Sequence, residues 1–177
     1  SLFPNLPKKV LVIRFGLVSD IHYCDLPPQK NRFFRNALGK LRECIDQFNR
    51  LDLQFVVDLG DKIDRDWVSF DRVMPIFDRL HCPVYHLAGN HDFAVADEFK
   101  PRVRSKMNVA TPCYHSFDIE NWRFVMLDGN TVSTYAHREG SRQWVQAQSM
   151  IDRLQSGEGP HGFPWNGAID GEQVAWF

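Results

Sequence analysis

Three short segments of this sequence set metal-binding side chains close together. In Asp20-Ile21-His22 a carboxylate and an imidazole stand two residues apart. On an extended backbone such residues share one face, so both side chains can close on a single ion. In Gly60-Asp61-Lys62-Ile63-Asp64 the glycine permits a tight turn, and the Asp61 carboxylate has two oxygens to offer to two cations. In Gly89-Asn90-His91-Asp92 the carboxamide oxygen is a metal ligand, beside an imidazole suited to proton donation. Each segment alone has a plainer explanation. An Asp-x-His decorates or caps a surface turn, and Gly-Asp and Asn-His are ordinary turn pairs. Their order along the chain, each directly after an apolar run, favours metal chemistry. A mixed carboxylate, imidazole and carboxamide set without a ligating cysteine motif suits manganese, iron or zinc better than a structural zinc cage.

The elements that must position these segments are legible from periodicity. Residues 10–18 read as a buried strand ending at Ser19-Asp20. After the Pro27-Pro28 turn, Phe34, Leu38, Leu41, Ile45 and Phe48 recur at steps of three and four, which predicts an amphipathic helix. Residues 53–59 are a second apolar run, closed by Gly60-Asp61, and 67–80 read as a helix despite Pro75. Residues 83–88 are a third run, closed by Gly89-Asn90. Strands alternating with helices predict an α/β layered sheet, and open sheets of this kind carry their ligand sites at strand ends. Beyond Ala96 the pattern changes. Residues 113–119 alternate in period two, Glu120-Asn121 reads as a turn and 122–127 is another run, together an antiparallel hairpin. Residues 141–154 read as a helix, 156–167 as a Gly/Pro-rich loop, and Asp170 as the N-cap of a last helix that is only opening at Phe177. A single domain over residues 1–177 is expected, with its C-terminal portion missing.

With 44% hydrophobic and 13% aromatic residues, 177 residues suffice for one sizeable core. Lysine and arginine number 21 against 22 aspartates and glutamates, so no broad positive field is present to hold a nucleic-acid backbone. A small or locally read substrate is expected rather than duplex DNA. Cys24, Cys44, Cys82 and Cys113 form neither a CxxC pair nor a dense disulfide pattern, which points to reduced thiols and a cytoplasmic protein. The apolar run at 10–18 is broken by Arg14 and Gly16 and falls well short of the roughly 20 residues that span a bilayer, so no membrane association is expected.

Taken together, Asp20-x-His22, Gly60-Asp61-x-x-Asp64 and Gly89-Asn90-His91-Asp92 resemble the first three signature blocks of the calcineurin-like metallophosphoesterases. Within that superfamily, FGLVSDIHYCD, NRFFRNALGKL, WRFVMLDGNTVS and WNGAIDGEQVAWF resemble the manganese-dependent ADP-ribose/CDP-alcohol diphosphatase branch, over nearly all of the chain. Some members of that branch carry glutamine where His22 stands. The resemblance implies a layered mixed β-sheet sandwich flanked by helices and two divalent metal ions, manganese foremost, with iron and zinc as alternatives. By the same resemblance, Asp20 and His22 bind the first ion, Asp61 bridges both and Asn90 binds the second. His91 is then the acid or phosphate-stabilising group, and Asp64 and Asp92 orient the loops or His91. The implied reaction is hydrolysis of a phosphoanhydride or phosphodiester of a nucleotide-type small molecule, such as ADP-ribose or a CDP-alcohol, by a hydroxide attacking in line between the ions.

Such enzymes also use three histidines from a Ser-His-x-Pro-like and a Gly-His-x-His block, and neither block occurs here. His137 and His161 follow no apolar strand, so the 177 residues alone are expected to be poorly active. Rival readings are another superfamily phosphodiesterase or nuclease, and a non-catalytic remnant acting only in binding. Arg32 and Arg35 read either as groups that reach a second phosphate or as solvated helix charges. Tyr23 and Phe33 read as base-stacking or as buried, burial being the expected fate of Phe33.

Overall fold

The computed structural model describes residues 12–109, 112–158 and 162–177. The first two residues of the run at 10–18, and His161, lie outside the described residues. Strands β1 (Phe15–Val18), β2 (Phe55–Asp58) and β3 (Val84–His86) form a parallel sheet in the order β1-β2-β3, with Phe15 opposite Phe55 and Val56 opposite Val84. Two helices make the crossovers. These are α1 (Ala37–Phe48), opened by a 3-10 turn at Phe34–Asn36, and α2 (Phe70–Phe77), opened by a 3-10 turn at Trp67–Ser69. Helix α1 follows from its apolar spacing, since Leu38, Leu41 and Ile45 are all buried. Helix α2 runs through Pro75 at the cost of one intrahelical hydrogen bond, held by the burial of Phe70, Val73, Met74, Ile76 and Phe77.

Both helices pack in one core cluster that Val18 and Val84 join from the sheet. Strand β2 is central and buried at all four positions, and its period of two divides it between two faces. Phe55 and Val57 face away from the helices and pack with Met126. That residue belongs to a hairpin of β4 (His115–Ile119) and β5 (Trp122–Met126), whose Phe117 and Phe124 rings stand 5.3 and 4.9 Å from Phe55. The layers are therefore helices, parallel sheet and hairpin. This is the expected sandwich, with its parallel and antiparallel parts in two separate sheets.

A 3-10 turn at Lys100–Arg102 and the single turn α3 (Val103–Lys106) were not expected, yet they bring the fully buried Val103 and Met107 into the core. Helix α4 (Arg142–Arg153) starts where the Ser141 hydroxyl accepts the Trp144 N–H, and the chain leaves it through a wide turn at Gly157, φ 142°. The last helix, α5 (Gly171–Trp176), is capped by Asp170 as expected. Its buried Gln173 accepts the Asp128 N–H at 2.8 Å and donates to the Asp128 carbonyl at 3.0 Å, which ties α5 to the end of the hairpin. No helix among the described residues is long and apolar enough to cross a membrane.

Candidate metal centre

The three chemistry-bearing segments leave the carboxyl ends of β1, β2 and β3 side by side. An extended backbone through Asp20-Ile21-His22 would set both side chains on one face. Instead Asp20 (φ 57°) and His22 (φ 48°) are left-handed, and so is Asp61 (φ 56°) in the second loop. Left-handed backbone at residues other than glycine costs about 1–3 kcal/mol each, and surrounding structure must hold it. Here the loops hold one another: the Asp20, His22 and Tyr23 N–H groups donate to the carbonyls of Gly60, Asp61 and Lys62 at 3.1, 2.9 and 3.1 Å. The second and third loops meet backbone to backbone. A Cβ on Gly60, whose φ is 106°, would strike the Gly89 backbone, and one on Gly89 would strike the Asp61 carboxylate.

This backbone path brings three donors together. His22 Nε2 lies 3.4 Å from Asp20 Oδ1 and 3.6 Å from Asp61 Oδ2. These separations are long for hydrogen bonds, but they are what neighbouring ligands about 2.1 Å from one cation show. His22, Asp61 and His91 form a potential ligand group in which one donor atom from each lies within 4.8 Å of the others. The buried Nδ1 of His22 has no hydrogen-bond partner among the described residues, so the ring is not spent on a structural bond. The donor set thus fits a divalent ion of the manganese, iron or zinc type. The ring of His91 packs edge-on to that of His22, centroids 4.5 Å apart. Its Nδ1 lies 3.0 Å from the Asp64 carbonyl, which can only accept, so Nδ1 carries the proton and Nε2 is the free nitrogen. The His91 N–H donates to Asp61 Oδ1 at 2.8 Å. Asn90 stands at the head of the 3-10 turn His91–Phe93, and its carboxamide makes no hydrogen bond among the described residues.

Beneath the donors lies a buried charged scaffold. The Asp92 carboxylate, wholly buried, accepts the N–H groups of Asp61 (3.0 Å), Lys62 (2.9 Å) and Gly89 (3.0 Å) and so staples the second loop to the third. Asp64, also buried, accepts Arg32 Nη1 at 3.0 Å and Arg65 Nε at 2.8 Å, which fixes the carbonyl that orients His91. Sequence reasoning passed over Lys62. It is fully buried, with Nζ 2.6 Å from Asp58 Oδ2, 3.7 Å from Asp92 Oδ2 and 2.7 Å from the Leu87 carbonyl. Burial opposes its charge, but Asp92 and Asp58 outweigh it and hold its pKa above the ordinary lysine value. Burial likewise opposes the charge on Asp58, but Lys62 and His86, whose Nδ1 is 2.7 Å away, hold that carboxyl below its ordinary range. For Asp92, farther from Lys62, burial prevails and pushes the carboxyl up. Asn130 was also missed: its Nδ2 donates to the Ala88 carbonyl at 2.8 Å, bracing the third loop from the hairpin side. Asp128, directly after an apolar run like the other strand-end carboxylates, was the available signal for that segment.

His137 does not join the donors, because its Nε2 lies 2.9 Å from the Thr131 carbonyl. Of the two arginines weighed for substrate phosphate, Arg35 is held by Asp25 at 2.6 Å, while Arg32 keeps part of its guanidinium free. Of the two aromatic residues, Tyr23 is buried, and Phe33, expected inside, is 55% exposed.

The family model for calcineurin-like phosphoesterases matches residues 13–165, a span that contains all three loops. The chain belongs to the calcineurin-like phosphoesterase family. Among curated members, the manganese-dependent ADP-ribose/CDP-alcohol diphosphatase of Danio rerio is 30% identical over 79% of this chain and 52% of its own length. The protein of the same name from Bos taurus is 26% identical over 92% of this chain and 60% of its own length. The crystal structure of a dimetal phosphatase from Danio rerio superimposes with a TM-score of 0.80 at 27% identity, covering 93% of this chain and 63% of that one. The chain thus spans about half to two-thirds of the length of these relatives.

Proposed function

We propose that this calcineurin-like phosphoesterase chain contributes to metal-dependent hydrolysis of a phosphoanhydride or phosphodiester in a small nucleotide-type molecule, ADP-ribose or a CDP-alcohol being the model substrates. The observation that carries the reading is the convergence of Asp20 and Asp61 carboxylate oxygens on His22 Nε2, at 3.4 and 3.6 Å, beside the free nitrogen of His91. The relatives named for manganese-dependent ADP-ribose/CDP-alcohol hydrolysis support both the substrate class and the choice of metal.

Asp20, His22 and Asp61 would hold the first ion, Asp61 and Asn90 the second. The ions would supply a hydroxide nucleophile and neutralise charge on the phosphoryl oxygens. What this chain's own residues contribute follows from their contacts. The Asp64 carbonyl holds the Nδ1–H of His91 and turns Nε2 toward the site; protonated at both nitrogens, the ring would give its Nε2 proton to the departing oxygen and return to the Nδ1–H tautomer. Asp92 holds Asp61 and Gly89 in register so that the donors stay preorganised. Near-neutral net charge supports a small substrate over duplex DNA. Cytoplasmic residence is part of the same proposal, supported by four cysteines that are all free thiols.

The deciding experiment incubates the full-length protein with ADP-ribose, CDP-choline, p-nitrophenyl phosphate and single-stranded DNA, with manganese and with chelator, and identifies the products. Manganese-dependent release of AMP or CMP, ahead of monoester cleavage, is expected. Preferential cleavage of the monoester or of DNA would overturn the substrate class, and metal-independent cleavage would overturn the mechanism.

A further inference from the structure

The hairpin returns toward the metal centre through residues 128–137, and this connection is tied down along its length. The Asn130 N–H donates to Asp128 Oδ1 at 2.9 Å, and Asn130 Nδ2 donates to the Ala88 carbonyl just before the third loop. Val132 bridges to Ala168, and the buried Ser133 hydroxyl accepts the Tyr135 and Ala136 N–H groups at 3.1 and 3.4 Å. At the far end Lys100 Nζ donates to the His137 carbonyl at 3.1 Å. Tyr135 is thereby held half-buried against the helix-side core. Its ring stands beside that of His91, with centroids 6.5 Å apart and planes tilted by 34°. That separation is in the range of ring–ring contact. His91 has a use for such a neighbour. The bond from Nδ1 to the Asp64 carbonyl fixes one point of the imidazole but not its plane, so the ring can still pivot about that point and swing Nε2. A displacement of about 1 Å at a reacting group can cost on the order of a hundredfold in rate. The edge-on His22 ring restrains part of that swing, and Tyr135 is the other ring beside His91.

We propose that Tyr135 is a positioning residue for the reaction: its ring walls the His91 imidazole and keeps Nε2 aimed while the Asp64 carbonyl holds Nδ1. The aromatic ring does this, and the phenolic hydroxyl does not. This rests on the function proposed above only in its kinetic consequence. An aimed proton donor matters where the departing oxygen is basic and little where it leaves unaided, so loss of Tyr135 is felt selectively.

Two measurements test this. Carbon relaxation NMR on the metal-free 177-residue chain reports the mobility of the His91 ring, whose signals are assigned by their loss in His91→Ala. The ring order parameter should fall by about a third in Tyr135→Ala and keep its parental value in Tyr135→Phe, with the His86 ring, held by Asp58, unchanged in both. The full-length protein is then assayed with manganese on the p-nitrophenyl and phenyl esters of one nucleoside 5′-monophosphate, which differ in the basicity of the departing oxygen. Tyr135→Ala should lower kcat on the phenyl ester about tenfold, with KM and bound manganese unchanged, and leave the p-nitrophenyl ester within about twofold of the parent. Tyr135→Phe should restore the phenyl ester. Tyr135→Leu keeps the apolar bulk without a flat face and takes the place of the alanine variant if that one does not fold. A rigid His91 ring in the alanine or leucine variant, equal loss on both esters, lost manganese or no rescue by phenylalanine would overturn the positioning role. Manganese-dependent ADP-ribose hydrolysis alongside any of these results would leave the proposed function standing. Conversely, a His91 ring that loosens in Tyr135→Ala, in a protein that cleaves neither esters nor diphosphates, would support the wall and sink the function.

Discussion

Asp20, His22 and Asp61 each adopt left-handed backbone, and each places a side-chain donor in the candidate metal centre. Asp and His enter the left-handed region more readily than most residues, but a single sequence does not mark which of them do, so the donor types were legible from residue chemistry and order while the backbone path through Asp20-Ile21-His22 was not. The buried roles of Asp64 and Asp92 were legible as orienting groups, but Lys62 was not, since a lysine in a polar loop is expected in solvent. The donor geometry makes two predictions. Asp61→Asn removes charge from the carboxylate shared by the site and should empty both metal positions, whereas Asp20→Asn should mainly weaken one; elemental analysis of manganese per chain decides, and equal loss from both variants would end the bridging assignment. His91→Ala should keep its metal and lower turnover about a hundredfold, the size of effect a positioned acid supplies. Lost metal in that variant would move His91 into the ligand set, which its closeness to His22 and Asp61 makes the informative alternative.

Strand ends, not whole strands, do the positioning, and β2 does most of it. Its four residues are buried because they face helices on one side and the hairpin on the other, so the β2 run was among the easiest elements to read. Helices α1 and α2 and the hairpin were legible for the same reason, a clean periodicity. The turn α3 was not, because four residues cannot display a helical repeat and its stability comes from burying Val103 against elements distant in sequence. The loop after β2 is anchored to the strand by Lys62, which reaches back to Asp58 and across to Asp92. Lys62→Met keeps the apolar stem but strands two buried carboxylates, and breaking a buried ionic group in this way costs about 3–5 kcal/mol. Urea denaturation of the variant should show a loss of that order. A loss below about 1 kcal/mol would mean that Asp58 and Asp92 are satisfied without the lysine.

Across the whole molecule, positive and negative charges nearly cancel, so its response to pH is set by a few buried groups rather than by net repulsion. Two of them bound the stable range from opposite sides. The Asp58 carboxyl is below its ordinary range in the folded chain, so its contribution is fully present above the unfolded value of about 3.9 and is lost as pH falls through the lower folded value. Cys113 sits at the other limit. Burial, with Asp128 adding to it against the opposing Arg104, pushes its thiol from an ordinary 9.0 up to about 11. A raised pKa means that the folded chain keeps a proton the unfolded chain gives up. The thiol's contribution is therefore intact below pH 9.0 and lost as pH rises toward about 11, by at most roughly 3 kcal/mol. Urea midpoints followed from neutral pH upward should fall along this limb with the slope of the denaturant dependence unchanged. Cys113→Ala should flatten the fall while lowering stability modestly at neutral pH, since a small buried side chain is replaced by a smaller one. A midpoint that drops equally steeply in Cys113→Ala would assign the alkaline limb to another group and show that the thiol titrates in the folded protein much as it does in the unfolded chain.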